Sequence, residues 1–330
     1  IRDLRMSRGL GDVYKRQRYT ISGTARYEGT NKLGKSRSAR WLPTWNVSGA
    51  WNAHEEKFWK YMEPAVSNFT LKASYSLTAD RGPANVTNSL AIVQSYNPWR
   101  PFTNVKESGL QIIEAENSDL TYEKKHELNI GAEVGFIENR INLAFDWYKR
   151  NNFDLIGLVN SAGTGVKITK YANVASMKSH GVEFTLSTKN IKTKDFDWNS
   201  DFIFSHAKNE VTDLHSNSRI IEMISGTGFT MAGYPVRSLF SIDFQGLNQY
   251  GQPTFINESG NLTVSDLNFQ ETIKKEHLVY EGPTDPTITG SFGNTFRYKG
   301  FNLNLFITYS FGNVVRLDPV FKNKYSDLTS

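Results

Sequence analysis

The stretch LNIGAEVGFIENRINLAFDWYKR, Leu128–Arg150, sets the terms on which the rest of the chain is read. Leu128, Ile130, Ala132, Val134 and Phe136 alternate with Asn129, Gly131, Glu133 and Gly135. After Glu138-Asn139-Arg140 the alternation resumes, with Ile141, Leu143, Phe145 and Trp147 against Asn142, Ala144, Asp146 and Tyr148. A period of two on both sides of a tight polar turn predicts a β-hairpin with one apolar and one polar face. The apolar face must be covered, either by a second sheet in a soluble sandwich or by lipid.

The same period recurs along the chain and predicts strands over 18–28, 40–52, 68–79, 120–137, 140–150, 174–188, 195–208, 285–299 and 300–312. Many of these runs reach nine residues or more. A tilted strand needs about 9–11 residues to cross a bilayer, whereas globular strands average about 5–6. The joins after the second, fourth, sixth and eighth strands are 53–67, 138–139, 189–194 and the Lys299-Gly300 corner. The intervening joins, 29–39, 80–119, 151–173 and 209–284, are all longer than a turn. Strands alternate in direction, so tight joins gather at one end of the sheet and long ones at the other. That sorting is the pattern of an outer-membrane barrel, and a sandwich has no reason to show it. The exception, 53–67, has Phe58, Met62 and Val66 at helical spacing, which predicts a short helix ending near Pro64. The expected fold is therefore all-β: an antiparallel up-and-down transmembrane β-barrel, present in part as an open curved sheet of about nine to eleven strands. Trp41, Trp51, Trp147, Tyr148, Trp198 and Tyr298 fall near strand ends, as interfacial aromatic girdles do.

Composition agrees. The chain is 38% hydrophobic with mean hydropathy −0.47 and has no apolar run long enough for a transmembrane helix. An alternating barrel strand keeps average hydropathy low, so these values do not exclude a membrane protein. Cysteine is absent, which removes disulfides, thiolate metal sites and thiol nucleophiles. GDVYKRQ, Gly11–Gln17, reads as a translated sequencing adapter, so residues 1–17 are set aside as a non-native scar and 18–330 as the barrel domain. That segment holds a net +3 of the chain's +5, and the remaining +2 is no argument for nucleic acid.

No catalytic or metal-binding constellation emerges. DFDWNSD, Asp195–Asp201, starts like a calcium loop but has Ser200 and His206 where Gly and Glu are needed. As a strand it puts Asp197, Asn199 and Asp201 on one face, and with Glu133 and Asp146 these form the expected lumen-facing polar set. SAGTGVKIT, Ser161–Thr169, lacks phosphate-loop spacing and reads as a flexible loop. The six histidines (54, 126, 180, 206, 215 and 277) show no ligand spacing, and no cofactor motif is present. SYNPWRPF, Ser95–Phe102, gathers Tyr96, Trp99, Arg100 and Phe102 on a Pro-stiffened loop, where they could stack on a ligand or pack on neighbouring loops. GTNKLGKSRSAR, Gly29–Arg40, is a basic loop that either meets anionic lipopolysaccharide or is simply solvated.

At this point the residues resemble a family. ENSDLTYEKKHELNIGAEVGFIENRINLAFDWYKRNNFDLI, Glu116–Ile156, resembles the signature region of SusC/RagA-type TonB-linked outer-membrane transporters. There an Asn-Pro-Asp-Leu-Thr-Trp-Glu-Lys segment leads into a Leu-Asn-x-Gly strand; here Ser118 replaces Pro and Tyr122 replaces Trp. NFTLKASYSLTAD (68–80) resembles another family strand, with Ala73 and Ser76 as departures. ASMKSHGVEFTLS (175–187) resembles Gly-x-Met-x-Asn-x-Gly-Val-Glu, more loosely at Ser176 and Ser179. Residues 233–255 and 283–312 resemble the next loop and hairpin. The resemblance implies a parent barrel of about 22 strands with a plugged lumen. It also implies import of glycan or peptide ligands, a SusD-like surface lipoprotein partner, and TonB acting through an N-terminal region. The chain then reads as an internal-to-C-terminal piece. A siderophore-type TonB receptor, a porin and a soluble all-β carbohydrate-binding protein are the rival readings.

Overall fold

The computed structural model describes residues 6–15, 18–63, 65–82, 91–98, 108–114, 116–161, 168–215, 220–224, 228–257, 259–265 and 278–317. These fall into two compact units: residues 1–216 with 288–309, and residues 217–287 with 310–330.

The first unit begins with β1 (Met6–Lys15), β2 (Tyr19–Gly29), β3 (Trp41–Asn52), β4 (Val66–Asp80), β5 (Ile92–Tyr96) and β6 (Gly109–Glu114). It continues with β7 (Glu123–Phe136), β8 (Ile141–Ser161), β9 (Ile168–Lys192) and β10 (Phe196–Leu214). The second unit supplies β11 (Ser238–Ser241), β12 (Phe244–Leu247), β13 (Pro253–Ile256), β14 (Leu262–Thr263) and β15 (Val279–Pro283). β16 (Ile288–Tyr298) and β17 (Phe301–Phe311) complete the order. The main sheet runs β1-β2-β3-β4-β7-β8-β9-β10-β16-β17, open at both ends. Each neighbouring pair from β1 to β16 is antiparallel. The β5–β6 hairpin sits within the expected loop 80–119 and touches β9 through a single parallel pair, Glu114 with Thr169.

All nine expected strands are present, and three run much longer than expected. β8, β9 and β10 have 21, 25 and 19 residues. The β8–β9 pairing continues to Ser161 and Ile168, so most of the expected loop 151–173 is a ladder. An irregularity between Asn152 and Leu155, with Asp154 at φ 59°, breaks the alternation there and hides the continuing strand from a period-two reading. β1 lies in the segment set aside as a scar, yet pairs with β2. An edge strand offers unpaired N–H and C=O groups to any extended neighbour, so this pairing follows from the open edge.

The turns at the short-join end follow local chemistry. Glu138 and Asn139 have φ of 54° and 59°, and Arg140 N donates to Ile137 O at 3.0 Å. Ile137 has φ 50° as well, so three consecutive residues in the left-handed region reverse the chain within the four-residue loop between Phe136 and Ile141. The expected helix over 53–67 is instead two 3₁₀ turns, Ala53–Glu55 and Lys57–Tyr61. The residue that packs is not on the Phe58–Met62–Val66 stripe but Trp59, which is buried, stacks on Phe69 at 5.8 Å and donates its indole N–H to Val66 O at 2.9 Å. Val66 already belongs to β4.

The second unit is not the plain loop expected over 209–284. β11 pairs with β15, and β12, β13 and β14 form a small meander. Phe240, fully enclosed, packs against Tyr234 at 5.1 Å and Tyr280 at 5.8 Å. Arg316 donates to Phe240 O at 2.9 Å, and Val314 N donates to Pro283 O at 2.8 Å.

Two predictions test these local arguments. Glu138→Asn places a residue that tolerates positive φ in the turn and should stabilise the folded barrel by about 0.5–1 kcal/mol, read as a higher urea midpoint in vesicles. Glu56, in the 53–65 join, accepts from Tyr19 Oη at 2.7 Å and pairs with Arg18 at 3.1 Å, which together hold its carboxyl below the ordinary 4.5. A depressed carboxylate stabilises the fold above its unfolded value and loses that contribution as pH falls through its lower folded value. Stability should therefore drop below about pH 4.5, and Glu56→Gln should remove that part of the pH profile.

Candidate functional site

Residues paired across an antiparallel ladder share a face, so the register sorts every side chain. One face carries Gly49, Ala73, Ile130, Trp147, Val182 and His206 across β3 to β10 in a single row. The next row toward the tight turns is Trp51, Leu71, Ala132, Phe145, Phe184, Phe204 and Gly290. The opposite face carries Thr70, Glu133 and Ala144 in one row, and Gly131, Asp146 and Glu183 in another. The apolar face is not covered: Ile21 is 59% exposed, Ile130 45% and Ile307 63%. The inner face of a sandwich would be buried, so the soluble all-β reading fails here.

Aromatic residues collect in two belts on this apolar face. Near the tight turns lie Tyr19, Trp51 and the stacked pair Trp198–Phe296 at 5.7 Å. Toward the long joins lie the stacked pair Tyr27–Trp41 at 5.1 Å and the cluster of Trp45, Tyr75, His126 and Phe153. The belts are eight residues apart on β2, from Tyr19 to Tyr27, and ten on β3, from Trp41 to Trp51. At about 3.4 Å per residue and a tilt of about 40°, that is about 21–26 Å along the barrel axis, the height of an outer-membrane apolar band. Tyr148 corrects the girdle expectation. It sits on the polar face, buried, with its ring under the Arg150 guanidinium at 4.0 Å and its hydroxyl over Gly181, where a Cβ would lie 2.5 Å away. Polar residues that do share the apolar face satisfy one another: Asn294 Oδ1 accepts from Ser200 Oγ at 2.7 Å and from Trp198 Nε1 at 3.0 Å.

The polar face is a mesh of charges and short polar groups. Lys72 pairs with Glu133, and Glu127 accepts from both Lys125 at 2.7 Å and Arg150 at 3.2 Å. Asp201 accepts from Ser187 Oγ at 2.7 Å. Asp146 lies over Gly131, and Asp197 and Asn199 stand opposite Arg297 and Thr295. All five polar residues singled out from the sequence therefore lie on one face, spread over β7, β8 and β10 rather than gathered at a point. Among the described residues no group of acidic and histidine side chains could hold a metal ion.

The long-join end is built around the segment Glu116–Tyr122, whose structural role the sequence did not reveal. Leu33, Leu120 and Tyr122 form a buried cluster with Leu42, Ala79, Ile156 and Tyr171 against it. Asn173 clasps the segment from β9: its Oδ1 accepts from Thr121 N at 2.9 Å, while its Nδ2 donates to Thr121 O at 2.9 Å and Asp154 O at 2.6 Å. Asn117 Nδ2 donates to Tyr171 O at 2.7 Å, and Tyr122 Oη to Arg40 O at 3.2 Å. Gly34 approaches so closely that a Cβ would lie 2.5 Å from Ser118 O. The basic loop 29–40 is folded at its apolar residues and solvated at its charges: Leu33 is buried, Lys35 pairs with Glu116 at 2.5 Å and Arg40 Nε donates to Gly34 O at 2.8 Å, while Lys32, Lys35 and Arg37 are exposed. Beside the clasp is a cavity of about 270 Å³ lined by Arg26, Glu28, Asp80, Arg81 and Tyr122, with charges of both signs. Of the aromatic-loop candidates, Tyr96 is exposed at the end of β5, while Trp99, Arg100 and Phe102 lie outside the described residues.

A family model described as TonB dependent receptor-like, beta-barrel matches residues 10–320. The chain belongs to this family. As a TonB-dependent receptor barrel it is an outer-membrane protein, its apolar face meets lipid, and its likeness is to the SusC/RagA type. It is 26% identical over 321 residues to the TonB-dependent receptor SusC of Bacteroides thetaiotaomicron, covering 91% of this chain and 30% of that protein. TonB-dependent receptor P3 of Formosa agariphila is 25% identical over 315 residues, covering 90% and 31%. A solved structure of the RagAB peptide transporter superposes with TM-score 0.74 at 24% identity, covering 90% of this chain and 32% of that one. The chain thus spans about a third of the length of the relatives it matches.

The two faces make opposite predictions for the same substitution. Ala132→Arg, outward at mid-band, should destabilise the barrel by about 2–4 kcal/mol. Asn129→Arg, three residues away on the polar face, should stay within about 0.5 kcal/mol. Urea unfolding of each variant in lipid vesicles reads the difference, and equal costs would refute the assignment of faces.

Proposed function

We propose that the intact protein imports glycan or peptide fragments across the outer membrane, energised through TonB and working with a SusD-like surface lipoprotein. The observation that carries this reading is the similarity to SusC over nine-tenths of the chain. The fold likeness to a peptide transporter supports the same class. The similarity favours nutrient import over siderophore uptake or passive diffusion.

On this reading Glu133, Asp146, Asp197, Asn199 and Asp201 line the lumen and keep it wet. Tyr96, with Trp99, Arg100 and Phe102, meets the ligand at the long-join end. The cavity beside Tyr122 offers charges of both signs, which suits a ligand with separated polar groups more than an apolar one. The work is binding and gated passage rather than bond chemistry, and no residue is assigned a catalytic role.

The test is tagging the full-length protein in its own outer membrane, isolating it with its partners, and measuring uptake of labelled oligosaccharide and oligopeptide pools. Co-isolation of a surface lipoprotein and uptake that stops when TonB is depleted are expected. Uptake that persists without TonB would overturn energised import and favour the porin reading.

A further inference from the structure

On three adjacent strands the outward apolar series ends in a basic residue. Moving away from the tight turns, β8 presents Ile141, Leu143, Phe145 and Trp147, then Lys149. β9 presents Leu186, Phe184 and Val182, then His180, and β10 presents Phe202, Phe204 and His206, then Lys208. The register sets these ends side by side: Lys149 pairs with His180, and His180 with Lys208. All three are exposed. Two lysines flanking a histidine across a ladder is an arrangement that repels itself or contributes nothing unless an anion joins it. Among the described residues none of the three has a carboxylate within ion-pair distance. The neighbouring outward lysines differ: Lys178, one row further out, pairs with Glu210 at 3.2 Å, and Lys124 with Asp154 at 2.6 Å. The row lies where the outward apolar series of β8, β9 and β10 gives way to charge.

We propose that Lys149 and Lys208, with His180 between them, bind the phosphate of lipid A in the outer leaflet, so that this stretch of wall is an anionic-lipid site. The geometry suits the chemistry. Lys149 and Lys208 are two strand spacings apart, about 10 Å between backbones, and long flexible side chains can converge on one phosphate over that span. The acyl chains of the same lipid would lie along Trp147, Val182 and Phe204 below. Among the described residues neither lysine has an ion-pair partner, in contrast to the basic loop 29–40, whose Lys35 pairs with Glu116 and whose Arg40 donates to Gly34 O. The proposal depends on membrane placement alone and is independent of what the protein imports.

The full-length protein, folded in dodecyl maltoside micelles, is titrated with diphosphoryl lipid A and read by native mass spectrometry, with phosphatidylcholine as the zwitterionic comparison. Lys149→Gln with Lys208→Gln should weaken lipid A binding about 25-fold, from roughly fivefold per lysine near an anionic surface. Lys149→Arg with Lys208→Arg should keep it. Heat-modifiable migration on a gel reports that each variant is folded, and if the double variant does not fold, either single Gln variant should show about a fivefold loss. Lipid A binding by the folded double Gln variant within threefold of the parent would overturn the proposal. Complete competition by millimolar inorganic phosphate would also overturn it, by showing a free-anion site instead of a lipid one.

Discussion

A chain crossing lipid cannot leave a backbone N–H or C=O without a partner, and in this protein the strand ladder meets that demand. Register is consequently the constraint on which everything else rests. Because side chains alternate with period two, a slip of one residue on any strand would send Ile130, Phe145 and Phe184 into the polar face and Glu133, Asp146 and Glu183 into lipid. The tight joins hold the register locally, through the left-handed turn at Ile137–Asn139 and the Trp59 anchor beneath β4. The clasp at Glu116–Tyr122 holds it at the other end.

The two ends are built by different physics. At the tight-turn end the chain reverses with few residues and little core, and the stabilising contacts are aromatic stacking and short hydrogen bonds. At the long-join end, segments distant in sequence must be gathered against water. A small apolar cluster of Leu33, Leu120 and Tyr122 and the fork of hydrogen bonds from Asn173 achieve that. Leu120 and Tyr122 lie in the segment that carries the family resemblance, so that motif is a structural clasp before it is anything else. It also forms one wall of the charged cavity at the sheet's upper rim.

The outer wall is more than a hydrophobic belt. Its lower edge is marked by Trp198, Phe296 and Tyr298, with Lys299 over the ring of Tyr298 at 5.4 Å. Its upper edge is aromatic on β2 to β7, with Phe153 of β8 joining that cluster, and basic at Lys149, His180 and Lys208 on β8 to β10. The change from one chemistry to the other around a single sheet shows that the wall presents distinct contacts to the same membrane. On the polar face charges pair with neighbours, as Lys72 does with Glu133, and exposed pairs of this kind contribute little to stability.

The sequence by itself determined the strands, their faces and the sorting of joins, because alternation is a local property that survives without knowing any partner. It placed all five lumen candidates on one face for the same reason. It counted Tyr148 among the girdle residues for its nearness to a strand end, although the alternation already put it on the polar side, where it packs beside Arg150 and Gly181. It mistook 53–67 for a helix, because Trp59 packs on Phe69 across a join rather than along a helical stripe. It took 151–173 and much of 209–284 for loops, where a bulge at Asp154 and the enclosure of Phe240 hid a continuing ladder and a separate folded unit. Only tertiary structure could bring Leu33 to Leu120, Asn173 to Thr121, and His180 between Lys149 and Lys208. Those contacts join residues tens of positions apart, and pairing across a sheet leaves no period in any one strand.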